Sequence, residues 1–456
     1  MRVLVLGAGQ VGRQICGFLV REDDLTLTVL DSSSENIIAT MDQHGVSGVV
    51  GEATNPADLE KASIRSTDLL IAATASDDSN VIACYLASQL NERIRSIARL
   101  RNLNYQQPML RESGGFIDVV INPETEVAKA SLQLLTAHDI FYRGHFLNNR
   151  VQIVGIRLGD ESNVLNTPLR QLSSTFLGLK AVVVAVRRQD HLRTALPDDE
   201  MHAGDQIYIV IAADHLERTM EIFGIHHKQL GQPVIIGGGR VGVDVARQFE
   251  AQPGVPPARI IEADPDRAQY AADRLGKTIV MQGDGLNPDI LAEANLASAD
   301  AVMALTNDDK TNLLALMQAR RVNPDVTTIG IVNDPWFADL DSVISIDTII
   351  NPQVITVASI LPHIRSRFIT QVQIIGNGAA EVAEINIDES SQLSGKTIRN
   401  ANLPDGVLVG AIAKGDDIIE VTPDVRIESG DSLVISMEGA TIKTMARFLE
   451  PHGSTG

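Results

Sequence analysis

Two glycine-rich stretches of the same spacing constrain this chain more than any other feature. Gly7-Ala8-Gly9-Gln10-Val11-Gly12 follows the aliphatic run Val3–Leu6, and Gly237-Gly238-Gly239-Arg240-Val241-Gly242 follows Val234–Ile236. Each is followed by a helical pattern. A lone G-x-G-x-x-G means little, but in a strand-to-helix context each glycine has a physical task. The first permits the tight turn, the second lets a pyrophosphate approach the backbone, and the third lets helix and strand pack closely. The helix N-terminus then offers unpaired N–H groups to phosphates.

The recurrence is part of a longer repeat with a period of roughly 230 residues. The stretch 51–74 aligns without a gap on 283–306, pairing Asn55 with Asn287, Pro56 with Pro288, Leu59 with Leu291, Ala62 with Ala294 and Asp68 with Asp300. Asn122-Pro123 returns as Asn351-Pro352. An ordered series of matches at a nearly constant offset indicates duplication rather than two unrelated folds sharing a motif.

Each copy has two textures. In the first part, short aliphatic runs such as Val3–Leu6, Leu25–Leu30 and Leu69–Thr74 alternate with helical patterns. Continuous apolar strands separated by helices predict βαβ units and a parallel sheet covered on both faces. In the second part, Leu179–Arg187, Gln206–Ile211, Val407–Ala413 and Ser432–Ser436 read as strands separated by Pro-Asp and Gly-Asp turns. The fold class expected is α/β: two Rossmann-like doubly wound domains, each followed by a small α/β subdomain. The expected boundaries are 1–140, 141–226, 231–365 and 366–456, with the copies meeting near His226–Pro233.

An acid should follow the second strand of a dinucleotide fold and accept hydrogen bonds from the adenosine ribose. Asp31 fills this place in the first copy and Glu262 in the second, with Asp264 a competitor for the latter. Such a carboxylate disfavours a 2′-phosphate and does not separate NAD from ATP or ADP. Thr74 and Thr306 end the fourth strands, with Ala75 and Asn307 next, and ligands of open α/β sheets sit outside such strand ends. Helix capping by Asp77, Asp78, Asp308 or Asp309 competes with a ligand role for those acids. Arg99 ends the strand around Ser96–Ala98 and is placed either against a phosphate or at the solvated surface. Arg240 stands where the first copy has Gln10, and a cation there favours a more highly charged phosphate chain.

Other chemistry is sparse. Cys16 and Cys84 lie on apolar helical patterns and read as core residues, so no cysteine metal cluster or disulfide framework is expected. His226-His227 lacks a ligand-spaced partner, and no metal site or catalytic residue is assigned. Asp198-Asp199-Glu200 and Glu22-Asp23-Asp24 read as exposed turns. With 58 acidic and 38 basic residues the net charge of −20 repels phosphate backbones, arguing against nucleic-acid binding. Trp336 is the one tryptophan, which leaves no stacking platform for single strands. No apolar stretch approaches the ~20 residues of a spanning helix, and the run Met1–Gly7 is too short for a secretory signal.

Two successive units, each with the glycine motif, the acid, the Gly51-Glu52-Ala53-Thr54 and Gly283 stretches running into Asn-Pro, and a Thr306-Asn307-Asp308-Asp309-type strand end, resemble the RCK/KTN family over nearly the whole chain. Glu52 departs from the Asp or His common there. The resemblance implies C-terminal subdomains of the RCK_C type and binding of NAD/NADH, with ATP/ADP as further ligands, without turnover. It also implies a cytoplasmic homo-oligomeric ring, tetrameric by expectation. The ring would act on a Trk-type potassium-translocating membrane subunit and reach the inner membrane through that partner, with no insertion of its own. Two rivals stand beside this reading: an NAD-dependent oxidoreductase, and a stand-alone nucleotide sensor.

Overall fold

The strand-forming runs of the sequence assemble into four sheets in a computed structural model. It describes residues 1–456 except 23–24, 103–104, 106–114, 135–139, 177, 189–190, 226–230, 253–255, 335–336, 338–345, 365–367 and 439–456. Trp336, His226-His227, Asp23-Asp24 and the last part of the expected fourth domain lie outside the described residues.

The first compact unit comprises Met1–Glu124 together with Gln353–Ile364. Along it run β1 (Arg2–Leu6), α1 (Gln10–Leu19), β2 (Thr26–Asp31), α2 (Ser34–His44), β3 (Ser47–Val50), α3 (Pro56–Lys61), β4 (Leu69–Ala72), α4 (Asp77–Leu90), β5 (Arg95–Arg99) and β6 (Val119–Ile121). All six strands are parallel, in the order β3-β2-β1-β4-β5-β6. This is the doubly wound order, whose reversal between β1 and β4 opens a crevice at the carboxyl edge. Val3, Leu4, Val5 and Leu6 are all buried, because helices cover both faces of the strand. Leu4, Leu6, Leu70 and Ala72 pack with Ala83, Cys84 and Ala87 of α4. Both cysteines are fully buried, and burial pushes their thiols up to about 12, so each is an inert core residue.

The repeated Asn-Pro pairs are helix starts. Asn55 caps α3 by accepting from Ala57 N at 3.0 Å, with Pro56 at the first helical position. That position suits proline, since its missing N–H would be unpaired there anyway.

The rest of the described chain forms the second unit. It begins within α5 (Pro123–Gln133) and continues through β7 (Ile140–Phe146), β8 (Val151–Arg157), α6 (Leu169–Thr175), β9 (Ala181–Arg188), β10 (His191–Thr194), β11 (Gln206–Ala212) and α7 (Leu216–Ile222). A second Rossmann domain follows: β12 (Pro233–Ile236), α8 (Arg240–Glu250), β13 (Arg259–Glu262), α9 (Pro265–Ala272), β14 (Ile279–Gln282), α10 (Pro288–Glu293), β15 (Ala301–Ala304), α11 (Asp309–Val322), β16 (Thr327–Ile331) and β17 (Thr348–Ile350). Its parallel order, β14-β13-β12-β15-β16-β17, reproduces the first. Asn287 caps α10 as Asn55 caps α3. Helix α12 (Pro352–Ile360) continues from β17, and all of it beyond Pro352 belongs to the first unit. The chain closes with β18 (Ile369–Ile375), β19 (Ala380–Asn386), β20 (Val407–Lys414), β21 (Asp417–Ile419) and β22 (Ser432–Glu438).

The two remaining sheets are antiparallel and five-stranded, β10-β9-β11-β8-β7 and β18-β19-β22-β20-β21. Read from opposite ends they have the same topology, so duplication extends to these subdomains. The sequence pattern predicts two of the five strands in each. The two sheets share one core in which Phe146, Val151, Val184, Tyr208 and Val210 meet Val382, Ala411 and Val434. Leu147 N donates to Glu384 Oε2 at 2.7 Å and the Tyr142 hydroxyl to Gln373 Oε1 at 2.9 Å across this junction. At Gly410 an added Cβ would stand 2.8 Å from the Val210 side chain, so glycine sets the closeness of the sheets.

Candidate functional site

In both Rossmann domains the glycine loop leaves the first strand at the switch point. Gly7 and Gly237 turn with φ of +98° and +110°, a region only glycine enters without strain. An added Cβ at Gly12 would stand 1.7 Å from the Gly7 carbonyl oxygen, and one at Gly242 would stand 2.0 Å from that of Gly237. The third glycine is thus required by helix-to-strand packing. The second has a different reason. Around a Cβ built at Gly9 or Gly239 nothing lies within 4 Å, and both residues have extended backbone that any side chain tolerates. No packing demands glycine there; a side chain would instead fill the open space in front of the helix N-terminus. These residues therefore fit a phosphate-bearing group.

The acids close the cradles. Asp31 Oδ2 accepts from Ala8 N at 2.6 Å, and Oδ1 from Ser33 N at 2.8 Å. Glu262 Oε2 accepts from Gly238 N at 2.7 Å and Oε1 from Asp264 N at 3.0 Å. Glu262 is 5% exposed and pairs with Arg267 at 3.1 Å. The difference between the copies is compensated locally. A Cβ at Gly238 would approach the Glu262 Cβ to 3.0 Å, so the longer acid occupies room that a methyl takes at Ala8. Asp264, the competitor, caps α9 through Arg267 N at 2.9 Å.

Thr74 and Thr306 lie two residues beyond β4 and β15, at the other side of the crevice. Their neighbours Asn80 and Asn312 are fully buried and were not singled out from the sequence. Asn80 Oδ1 accepts from Thr74 N at 3.0 Å and Oγ1 at 2.7 Å, while Nδ2 donates to Arg99 O at 2.8 Å. Asn312 repeats all three, at 3.0 Å, 2.6 Å and 2.8 Å, the last to Ile331 O. Each asparagine ties the end of one central strand to the end of the next. The signal available was the shared Thr-to-Asn spacing in the two copies.

The capping expectation resolves residue by residue. Asp308 caps α11, and its carboxyl is held below the ordinary range by hydrogen bonds from the Thr311 hydroxyl and N–H. Ser76, not an aspartate, caps α4. Asp77 instead accepts from Arg101 N and Asn102 N, and Asp309 from Asn333 N and Asp334 N, pinning the loops after β5 and β16. Asp78 accepts from the Tyr105 hydroxyl. Ala75, Asn307, Gln10 and Arg240 are exposed at the rim, with Val11 and Val241 half-buried beside them. Arg99 is half-buried, so solvated surface is not its environment; burial, then Arg101, pulls its guanidinium below its ordinary range.

Fold and site together define a class: a tandem chain of two Rossmann domains, each with a glycine-loop cradle closed by a carboxylate, and two matching antiparallel subdomains. The TrkA-N domain model matches residues 3–123 and again 233–352, and the TrkA-C domain model matches 153–224 and 382–450. The chain belongs to the TrkA family, which bears out the RCK resemblance read from its motifs. The Trk system potassium uptake protein TrkA of Azorhizobium caulinodans is 34% identical over 98% of this chain and 98% of its own. Among solved structures, the GsuK channel bound to NAD matches with a TM-score of 0.63 at 18% identity, covering 98% of this chain and 78% of that one. GsuK bound to ADP matches at 0.50 and 15%, covering 79% and 68%. At these identities the structural matches show the fold. Among the described residues no helix is long and apolar enough to cross a membrane.

Proposed function

We propose that this chain is a nucleotide-binding regulatory subunit of a Trk-type potassium uptake system, working as a homo-oligomeric ring on a potassium-translocating membrane subunit. The observation that carries the reading is the paired cradle: Gly9 and Gly239 keep open space that packing does not require, each beside a carboxylate already anchored to the glycine loop. Full-length similarity to a relative named for potassium uptake supports the transport context. NAD(H) is the first ligand expected and ADP or ATP the second, in keeping with the ligands named for the GsuK structures.

In this reading Asp31 and Glu262 accept hydrogen bonds from the ribose, while the N–H groups opening α1 and α8 meet the phosphates. The nucleotide supplies charge and shape, and no group transfer is required. A ligand shifts a conformational equilibrium only through its differential affinity for the two states. A hundredfold preference amounts to about 2.7 kcal/mol per site, and several sites in a ring add.

Thermal-shift titration with NAD, NADH, ATP and ADP tests the proposal. At a ligand concentration of about 100 Kd the expected stabilisation is ~2.7 kcal/mol, reduced by Asp31→Ala and Glu262→Ala. No stabilisation by any of the four would undo it. Co-purification with the membrane subunit tests the partner, and NADH consumption with candidate substrates would favour the oxidoreductase instead.

A further inference from the structure

Besides the acid and the glycine-loop residues Ala8/Gly238 and Gln10/Arg240, the two cradles differ at the carboxyl end of the strand after the threonine. In the first unit β5 ends at Arg99, and Arg101 follows two residues on. The Nε atoms of both arginines and Glu124 Oε2 are buried without a hydrogen-bond partner. Arg101 Nε lies 3.5 Å from Glu124 Oε1, an ion pair lacking hydrogen-bond geometry. The corresponding positions in the second Rossmann domain are Ile331, which ends β16, and Asn333. Asn333 is satisfied: its N–H and its side-chain amide donate to Asp309, each at 3.0 Å. Two buried guanidinium Nε–H groups without an acceptor thus sit in the first domain where the second presents an aliphatic side chain and a satisfied amide.

Sheet order tells which part of a ligand meets this place. Along the carboxyl edge the acid ends β2, the glycine loop follows β1, the threonine follows β4 and the arginine ends β5, and these strands are consecutive neighbours. A nucleotide whose ribose lies at the acid and whose pyrophosphate lies at the glycine loop extends its far end towards β5. That far end distinguishes the ligand classes: a third phosphate in ATP, a nicotinamide riboside in NAD. Resting on the nucleotide-binding reading above, we infer that the sites divide the ligands between them, the first selecting a nucleoside triphosphate through Arg99 and Arg101, the second a dinucleotide over Ile331.

Arg240 and Lys310 put cations in the second site, but both are exposed, and exposed charges are screened. Arg240 also stands within the glycine motif, at the start of α8, which meets the pyrophosphate common to both classes. Half-buried guanidinium groups are screened less and bind phosphate oxygens bidentately.

The experiment uses full-length chains with one cradle filled at a time. Because Gly9 and Gly239 face open space, Gly239→Asp leaves the first site and Gly9→Asp the second. Calorimetric titration of the Gly239→Asp chain should show ATP binding at least about tenfold tighter than NAD. Adding Arg99→Ile should weaken ATP by about tenfold or more and leave NAD within about threefold. The Gly9→Asp chain should show the reverse preference, with Ile331→Arg raising ATP affinity. Should Arg99→Ile fail to fold, Arg99→Gln carries the same expectation, and Arg99→Lys should keep much of the ATP preference. Equal ATP and NAD affinities in the Gly239→Asp chain, or an equal loss of both on Arg99→Ile, overturns the division while sparing the binding reading. Absence of binding by either nucleotide in the unsubstituted chain overturns the binding reading itself.

Discussion

Gly12→Ala and Gly9→Ala change the same loop by one methyl each, and the structure assigns them opposite consequences. At Gly12 the new carbon would stand 1.7 Å from the Gly7 carbonyl oxygen and 2.8 Å from its carbon. Carbon–oxygen contacts ordinarily begin at about 3.3 Å, so α1 must move away from the β1 turn by roughly 1.5 Å. Both partners are backbone, so no rotamer change relieves the clash. Overpacking costs about 1–3 kcal/mol where side chains can give way, and here the cost should reach ~3 kcal/mol or more. At roughly 4 °C per kcal/mol for a unit of this size, the first unit should melt about 10 °C or more lower. Gly9→Ala meets no atom within 4 Å and has an extended backbone. Its stability cost should stay within about 1 kcal/mol, set by the preference for glycine over alanine at an N-cap. Its loss should be in nucleotide binding. Differential scanning calorimetry without nucleotide, followed by NAD titration, separates the two. A Gly12→Ala chain melting within about 2 °C of wild type, or a Gly9→Ala chain equally destabilised without ligand, would refute the division of labour among the glycines.

Three further expectations follow from described contacts. Asn80→Ala leaves the N–H of Thr74 without its acceptor and Arg99 O without its donor, while the Thr74 hydroxyl keeps Ser76 O, so urea unfolding should register a loss of about 2 kcal/mol; Asn312→Ala should match it in the second domain. Burial raises the pKa of Glu250, but the N–H groups of Gly276, Lys277 and Thr278 overcome that and hold it at about 2. A depressed carboxylate stabilises above its unfolded pKa and loses that contribution as pH falls through the folded value. The melting-temperature gap between wild type and Glu250→Gln should therefore be full at pH 7 and shrink from about pH 4.5 towards 2; a gap independent of pH would count against it. Gly410→Val drives a side chain into Val210 across the shared core and should destabilise the second unit by at least about 2 kcal/mol, read as a lower urea midpoint.

What was legible in the sequence is what local spacing encodes. Glycine turns, aliphatic strands and an acid closing the second strand all act within one strand–turn–helix segment, so Gly7, Gly12, Asp31 and Glu262 could be found by counting. Asn80 and Asn312 recur at one spacing from their threonines, but spacing does not reveal their task, because their decisive bonds run to carbonyls 19 residues further along, on the next strand. Asp77 and Asp309 looked like caps for the same reason: their acceptor role is fixed by loops beyond β5 and β16. The antiparallel subdomains were only partly visible. Their strands are half-covered by a facing sheet from the other half of the chain, and nothing within one strand announces a partner more than 200 residues away.

That shared face bears on what each half of the molecule can be by itself. A polypeptide ending after α7 would carry Phe146, Val151, Val184 and Val210 on a sheet stripped of its cover. Its nearest substitute for the lost cover is a second molecule like itself, since both sheets have one topology. Gene duplication has in effect welded two such mates together, fixing their ratio at one to one and freeing each to diverge, as the loops at Gln10 and Arg240 already have.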